Sequence, residues 1–155
     1  MSGFEPKTGY HMKLYRNTGT FATPVWVEIA EIGDLSISDF TRALAELKRR
    51  GNQYTKNLAS LFNSITVEFR LHFGLATTQW NALKTAFFAG TPVEFAIMSG
   101  AIATSGEEGL RCPMIVSQFP WEQNLEDASG HDVQLSIAYM VSGSAEVDPT
   151  WLSVA

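Results

Sequence analysis

Apolar and polar residues alternate with period two over SITVEFRLHF, residues 64–73. Ile65, Val67, Phe69, Leu71 and Phe73 share one parity, and Thr66, Glu68, Arg70 and His72 share the other. Successive side chains of a strand point to opposite faces, so this segment predicts a strand with one apolar face and one face carrying charges of both signs. DVQLSIAYMV repeats the pattern, setting Val133, Leu135, Ile137, Tyr139 and Val141 against Asp132, Gln134, Ser136 and Ala138. Shorter alternations predict strands in TPVWVEIA, where Val25, Val27 and Ile29 oppose Trp26 and Glu28, and in IGDLSISDF, where Leu35 and Ile37 oppose Ser36 and Ser38 after a Gly-Asp turn. PVEFAIMSG sets Val93, Phe95 and Ile97 against Glu94, Ala96 and Met98. PMIVSQF is β-rich but less regular, and MKLYRNTGT reads as a short strand.

Helical spacing occurs twice. In TTQWNALKTAFFAGTP, Trp80, Leu83, Phe87 and Phe88 recur at helical intervals, Thr77 or Thr78 is available to cap the start, and Gly90 followed by Pro92 ends the run. That aromatic stripe is expected to lie against a sheet. In DFTRALAELKRRG, Asp39 is placed to cap, Phe40, Ala43, Leu44 and Leu47 fall on one side, and Gly51 is a stop, so local propensity predicts a second helix. Many alternating strands with one well-marked helix predict a mainly β fold: an antiparallel β-sandwich or barrel with one flanking α-helix. A length of 155 residues fits one domain over 1–155, with an N-terminal arm over about 1–12 and a C-terminal tail over about 145–155 that are unstructured by composition.

Charge narrows the function classes. A net charge of -5 argues against tight, sequence-independent nucleic-acid binding, which depends on neutralising phosphates with many cations. Cys112 is the only cysteine, so there is neither a disulfide framework nor a thiolate metal cluster, and beside Pro113 in an apolar run it reads as a small buried filler. MSGFEPKTGYHMK has no apolar signal core and no run approaches membrane-spanning length, which predicts a soluble protein of a reducing cytoplasm with no membrane partner.

Sites for catalysis are hard to build from these residues. His11, His72 and His131 lack metal-binding spacing, and Glu68 and His72, four apart on one strand face, lie roughly 13 Å from each other, too far to share an ion. Glu107 and Glu108 in SGEEG read as a solvated turn. No GxSxG elbow or phosphate-cradling Gly-Lys-Ser/Thr pattern occurs. No catalytic, metal or cofactor residue is therefore expected. One local feature contrasts with the acidic whole: in KRRGNQYTKN, Lys48, Arg49, Arg50 and Lys56 surround Gly51, Asn52, Gln53 and Tyr54 in a basic, polar tip. It reads either as a solvated loop or as a protrusion that docks on an acidic surface of another subunit. As a nucleic-acid motif it is weak.

LYRNTGTFATPVWVEIAEIGDLSIS, LASLFNSITVEFRLHF, TTQWNALKTAFFAGTPVEFAIM and GLRCPMIVSQFPWEQNLEDASGHDVQLSIAY, in that order, resemble the major tail tube protein of long-tailed bacteriophages and prophages over about residues 13–140. The resemblance implies a β-sandwich with a flanking helix, assembled as hexameric rings that stack into a hollow tube, their inner sheets joining around a DNA channel. It implies that residues 39–60 form an extended hairpin or loop reaching a neighbouring ring, against the local helical propensity, with Lys48, Arg49, Arg50, Tyr54 and Lys56 as candidate inter-ring contacts. The face bearing Thr66, Glu68, Arg70 and His72 would look into the lumen or outward. Implied partners are further copies of the chain, a tape-measure protein and tail terminator and tip proteins. DNA would pass without specific binding, in a virion tail whose subunits are made in the host bacterial cytoplasm. Rival readings are the inner tube of a gene transfer agent or contractile injection system, a β-sandwich ligand-binding module with Trp26, Trp121 or Trp151 as stacking platforms, and a small hydrolase using His72 or His131.

Overall fold

Alternation at 66–72 becomes a central ladder. The structure, a computed structural model, describes residues 12–30, 32–38, 40–62, 64–72, 78–122 and 130–155. Along them run β1 (Lys13–Asn17), β2 (Trp26–Glu28), β3 (Ile32–Ser38), β4 (Arg42–Leu47), β5 (Lys56–Phe62), β6 (Thr66–His72), α1 (Thr78–Ala89), β7 (Val93–Met98), β8 (Glu108–Gln118), β9 (Trp121–Glu122), β10 (Gly130–Ile137), β11 (Val141–Ser142), β12 (Ala145–Glu146) and β13 (Thr150–Ser153). The main sheet is antiparallel in the order β2-β1-β7-β8-β10-β6-β3, with β13 added on β8 and β9 on β10. It does not close into a barrel; β2 and β3 are its two ends. The fold is mainly β with one helix, consistent with a β-sandwich flanked by that helix.

One face of the sheet holds the principal core. Val67, Phe69 and Leu71 of β6, Val133 and Leu135 of β10, and Phe95 of β7 pack there with Leu83 and Ala86 of α1. The helix keeps the predicted end: Gly90 takes φ +66 and donates its N–H to the carbonyl of Ala86 at 2.9 Å, so a left-handed residue closes the last turn and Pro92 follows. Its stripe is narrower than expected. Leu83, Ala86 and Gln79 are buried and Trp80 and Phe87 half-buried, but Phe88 is 80% exposed. Phe88 sits about 100° around the helix from Phe87, beyond the arc that faces the sheet.

The opposite face of the sheet carries a second apolar cluster at one end. Ala96 and Met98 of β7, with the parity opposite to Phe95, form this cluster with Tyr15, and Trp26, Ile102, Leu152 and Val154 pack on it. This corrects the expectation that the C-terminal residues are an unstructured tail. Thr150–Ser153 pair with Arg111 to Glu108 of β8, Val154 donates its N–H to Glu107 O at 2.9 Å, and Leu152 and Val154 gain an apolar surface that composition alone does not reveal. Gly109 makes the close packing there: a Cβ would fall 2.0 Å from Ile97 O. Residues 1–11 of the expected N-terminal arm lie outside the described residues.

The second predicted helix is absent. Residues 42–47 and 56–62 form a separate two-stranded sheet, β4 against β5, registered as Leu44 with Ala59, Ala45 with Leu58 and Leu47 with Lys56. Helix propensities differ by tenths of a kcal/mol per residue, so they yield readily to a backbone ladder. The extended hairpin implied by the family resemblance is the conformation present.

Candidate functional site

In the ribbon β4–β5 every residue of both strands is exposed. Apolar side chains project all along it: Leu44, Leu58, Leu61 and Phe62 are more than half exposed, Leu61 to 81%. Leu44 and Leu58 belong to adjacent cross-strand pairs, so opposite faces of the ribbon each carry a leucine. Arg42 lies over the Phe62 ring, 3.9 Å from its centroid, at the end nearest the sheet. Its far end is the basic tip. Lys48, Arg49, Arg50, Tyr54 and Lys56 are all exposed there, brought together by a turn in which Gly51 has φ +83 and the Tyr54 N–H is accepted by Asn52 Oδ1 at 3.0 Å. Lys48 Nζ lies 3.5 Å from Glu46 Oε2, an exposed pair of small energetic weight.

Thr66, Glu68, Arg70 and His72 lie together on the face of β6 away from the core, with Glu68 and His72 exposed and Thr66 and Arg70 half-buried. Cross-strand neighbours continue the surface: Ser36 and Gln134 flank Glu68, and Asp132 faces Arg70, whose Nη1 donates to Asp132 Oδ1 at 3.3 Å. A register shift between Gln134 and Leu135 sets Gln118 opposite Gln134 on the same surface. The result is a shallow polar depression lined by Asp34, Ser36, Glu68, Arg70, Gln118, Asp132 and Gln134, with three carboxylates to one guanidinium. It is open to solvent and net acidic.

Two sheet margins are open. Among the described residues β3 pairs only with β6, leaving the other edge of its seven residues without a ladder partner, and β2 pairs only with β1. Such edges invite pairing with a further chain.

A buried polar knot, not anticipated from the sequence, braces the end of the second cluster. Arg111 donates from Nε to Glu94 Oε2 and from Nη2 to Glu94 Oε1, each at 2.7 Å, and Nη2 also reaches the carbonyl of Phe21 at 2.7 Å. Asn17 Nδ2 donates to Glu94 Oε1 at 2.9 Å, while Asn17 Oδ1 accepts the N–H groups of Gly19 and Val25. The guanidinium also lies over the rings of Phe21 and Trp26. These bonds fold the loop 18–25 onto β1 and β7. The signal in the sequence was a charge in the middle of two apolar runs, VEFAIM and LRCPM. Parity set Glu94, Ala96 and Met98 opposite Phe95; the structure buries both sets.

The one thiol lies beside this knot, next to Arg111 in the chain. Cys112 is buried, and desolvation, with the Glu94 charge second, pushes its thiol up to about 12. Burial lowers the Arg16 guanidinium, which donates to Gln79 Oε1 of α1 at 3.2 Å. Among the described residues no three His, Cys, Asp or Glu side chains converge on a metal-sized site. No described helix is long and apolar enough to cross a membrane. His11 lies outside the described residues; His131 stands opposite Leu71 in the β10–β6 ladder, and His72 opposite Gly130. Of the tryptophans named as stacking platforms, Trp26 packs in the second cluster, Trp121 stands in β9 and Trp151 is exposed on β13.

No protein-family model and no curated protein matches the chain. Solved structures do. The tail of an empty gene transfer agent particle, refined with C6 symmetry, is similar with a TM-score of 0.65 at 16% identity, covering 90% of this chain and 100% of that one. The SPP1 tail tube, determined by solid-state NMR and cryo-EM, is similar with a TM-score of 0.65 at 12% identity, covering 85% and 76%. The six-fold symmetrised baseplate of the anti-feeding prophage gives a TM-score of 0.62 at 14% identity, covering 99% of each chain. At such identities the likeness is one of fold: this chain has the tail tube fold.

Proposed function

We propose that the protein is a structural, non-enzymatic subunit of a tail tube, assembling with copies of itself into stacked sixfold rings that conduct DNA. The observation that carries the reading is the β4–β5 ribbon, exposed over its full length with leucines on both faces. A lone two-stranded ribbon is marginal in water, so this one needs a surface outside its own chain. The open margins of the main sheet supply a second requirement for neighbours. Head-to-tail contact between unlike margins closes into a ring when the rotation per subunit divides a full turn, and closure removes the free edges. The symmetry of the similar gene transfer agent tail and anti-feeding prophage baseplate supports six copies.

In this reading the basic tip, Lys48, Arg49, Arg50, Tyr54 and Lys56, contacts an adjacent ring, and the acidic face of Thr66, Glu68, Arg70 and His72 fronts the lumen, where a surplus of carboxylates keeps a passing polyanion from sticking. Tape-measure, terminator and tip proteins would complete a virion tail built in the bacterial cytoplasm. The likeness to the anti-feeding prophage baseplate extends the same role to the inner tube of a contractile device.

The test is electron microscopy of the concentrated full-length protein, with and without preformed tube fragments as seeds. Rings or hollow filaments are expected. Particles that stay monomeric in the presence of seeds of the same protein would sink the proposal.

A further inference from the structure

The ribbon is formed by a sequence that locally prefers another structure. Phe40, Leu44 and Leu47 stand at i, i+4 and i+7, and β4 itself, RALAEL, contains only strong helix formers and none of the β-branched or aromatic residues that favour strands. Glu46 precedes Arg50 by four residues, the more favourable order for a helical ion pair. Gly51 occupies the position of a helix-closing glycine and already has φ +83. Against this, the ribbon has little of its own: all residues of β4 and β5 are exposed, and its ion pair Lys48–Glu46 is open to solvent. Within the subunit the ladder with β5 is what favours β4, and neither local propensity nor burial adds to it.

We infer that residues 40–50 are helical in the unassembled subunit and convert to the β4–β5 ribbon on docking against another copy. Leu44 and Leu47 belong both to the apolar stripe of the helix and to the ribbon, and β5 has no partner strand without β4, so a subunit in the helical form does not present the docking ribbon. Docking selects the ribbon because only that form has affinity for the neighbour, and the population in the helical form raises the barrier to starting a tube while leaving growth on an existing end favourable. The assembly half of this inference rests on the tube reading; the helix in the free subunit does not.

The test uses the isotope-labelled full chain, dilute and unassembled, and the same chain in tubes. Cα secondary shifts over 40–50 are expected to be positive in the free subunit and negative in the tube. In the double variant Ala43→Val, Ala45→Val, whose positions are exposed in the ribbon, the helix-to-ribbon ratio should fall about tenfold from the propensity change alone. The lag before unseeded assembly should shorten with it. Shifts in the free wild-type subunit that are negative or near zero overturn the inference, as does an unchanged or longer lag in a variant that has lost its helical shifts. If the wild-type chain never assembles, the tube reading falls, and the shifts of the free chain still decide the helix.

Discussion

Arg111 and Glu94 share two hydrogen bonds at 2.7 Å with side chains only 14% and 3% exposed, so neither charge has water to fall back on. Arg111→Met should leave Glu94 buried without its cation and cost about 3–5 kcal/mol, read as a lowered denaturation midpoint; adding Glu94→Leu should recover much of the loss, because an apolar pair of similar volume removes the stranded charge. Cys112 offers a second measurement. Its thiol rises from an ordinary 9.0 to about 12 on folding, so the folded state disfavours the thiolate. The associated stability is complete below pH 9 and is lost as pH climbs from there toward about 12. Maleimide should accordingly label the native protein far more slowly at pH 8 than the protein in denaturant, and equal rates would contradict the burial.

Among the elements, the ribbon and the helix respond to opposite logic. Leu83 of α1 is fully buried, so its packing belongs to the subunit, whereas Leu44 and Leu61 of the ribbon are 60% and 81% exposed. Leu44→Ser with Leu61→Ser should shift the melting of the isolated subunit by no more than the equivalent of about 0.5 kcal/mol per site, the range for surface changes, yet abolish filaments in the microscope. A filament of normal length from this double variant would remove the ribbon from the assembly contact. Strand β13 shows the converse case: its Leu152, with Val154 just beyond it, is half-buried against Tyr15, Ala96 and Met98, and both are committed within the chain.

Taken as a sheet whose end strands have no further partner among the described residues, the subunit has one face packed against α1, and a second face with an apolar cluster at one end and a polar surface around Glu68. With a net charge of -5 and three carboxylates to one guanidinium on that polar surface, assembled tubes should not retard linear double-stranded DNA on a gel near physiological salt. Glu68→Lys with Asp132→Lys should produce salt-sensitive retention, and its absence would place that face away from the path of DNA.

Parity was enough to find β6 and β10 with the apolar faces they turn to the core, because a two-residue period is written into the chain where one face is wet and the other dry, but it ran too far: β10 ends at Ile137, and Tyr139 and Val141, on the same parity, are 72% and 45% exposed. Spacing and a terminal glycine located α1 for the same reason. The resemblance of the ordered segments to tail tube proteins named the fold. Local pattern could not report what arrives from far along the chain. Glu94 alternates as a surface residue, and only the return of Arg111 and Asn17 makes its burial tolerable. Leu152 and Val154 look like tail residues until Met98 is beneath them. Residues 42–47 carry a helical pattern, and their strand conformation depends on pairing with 56–62. Local preference is worth tenths of a kcal/mol per residue, whereas burial and ladder pairing act through contacts between distant segments, and these the tertiary structure alone assigns.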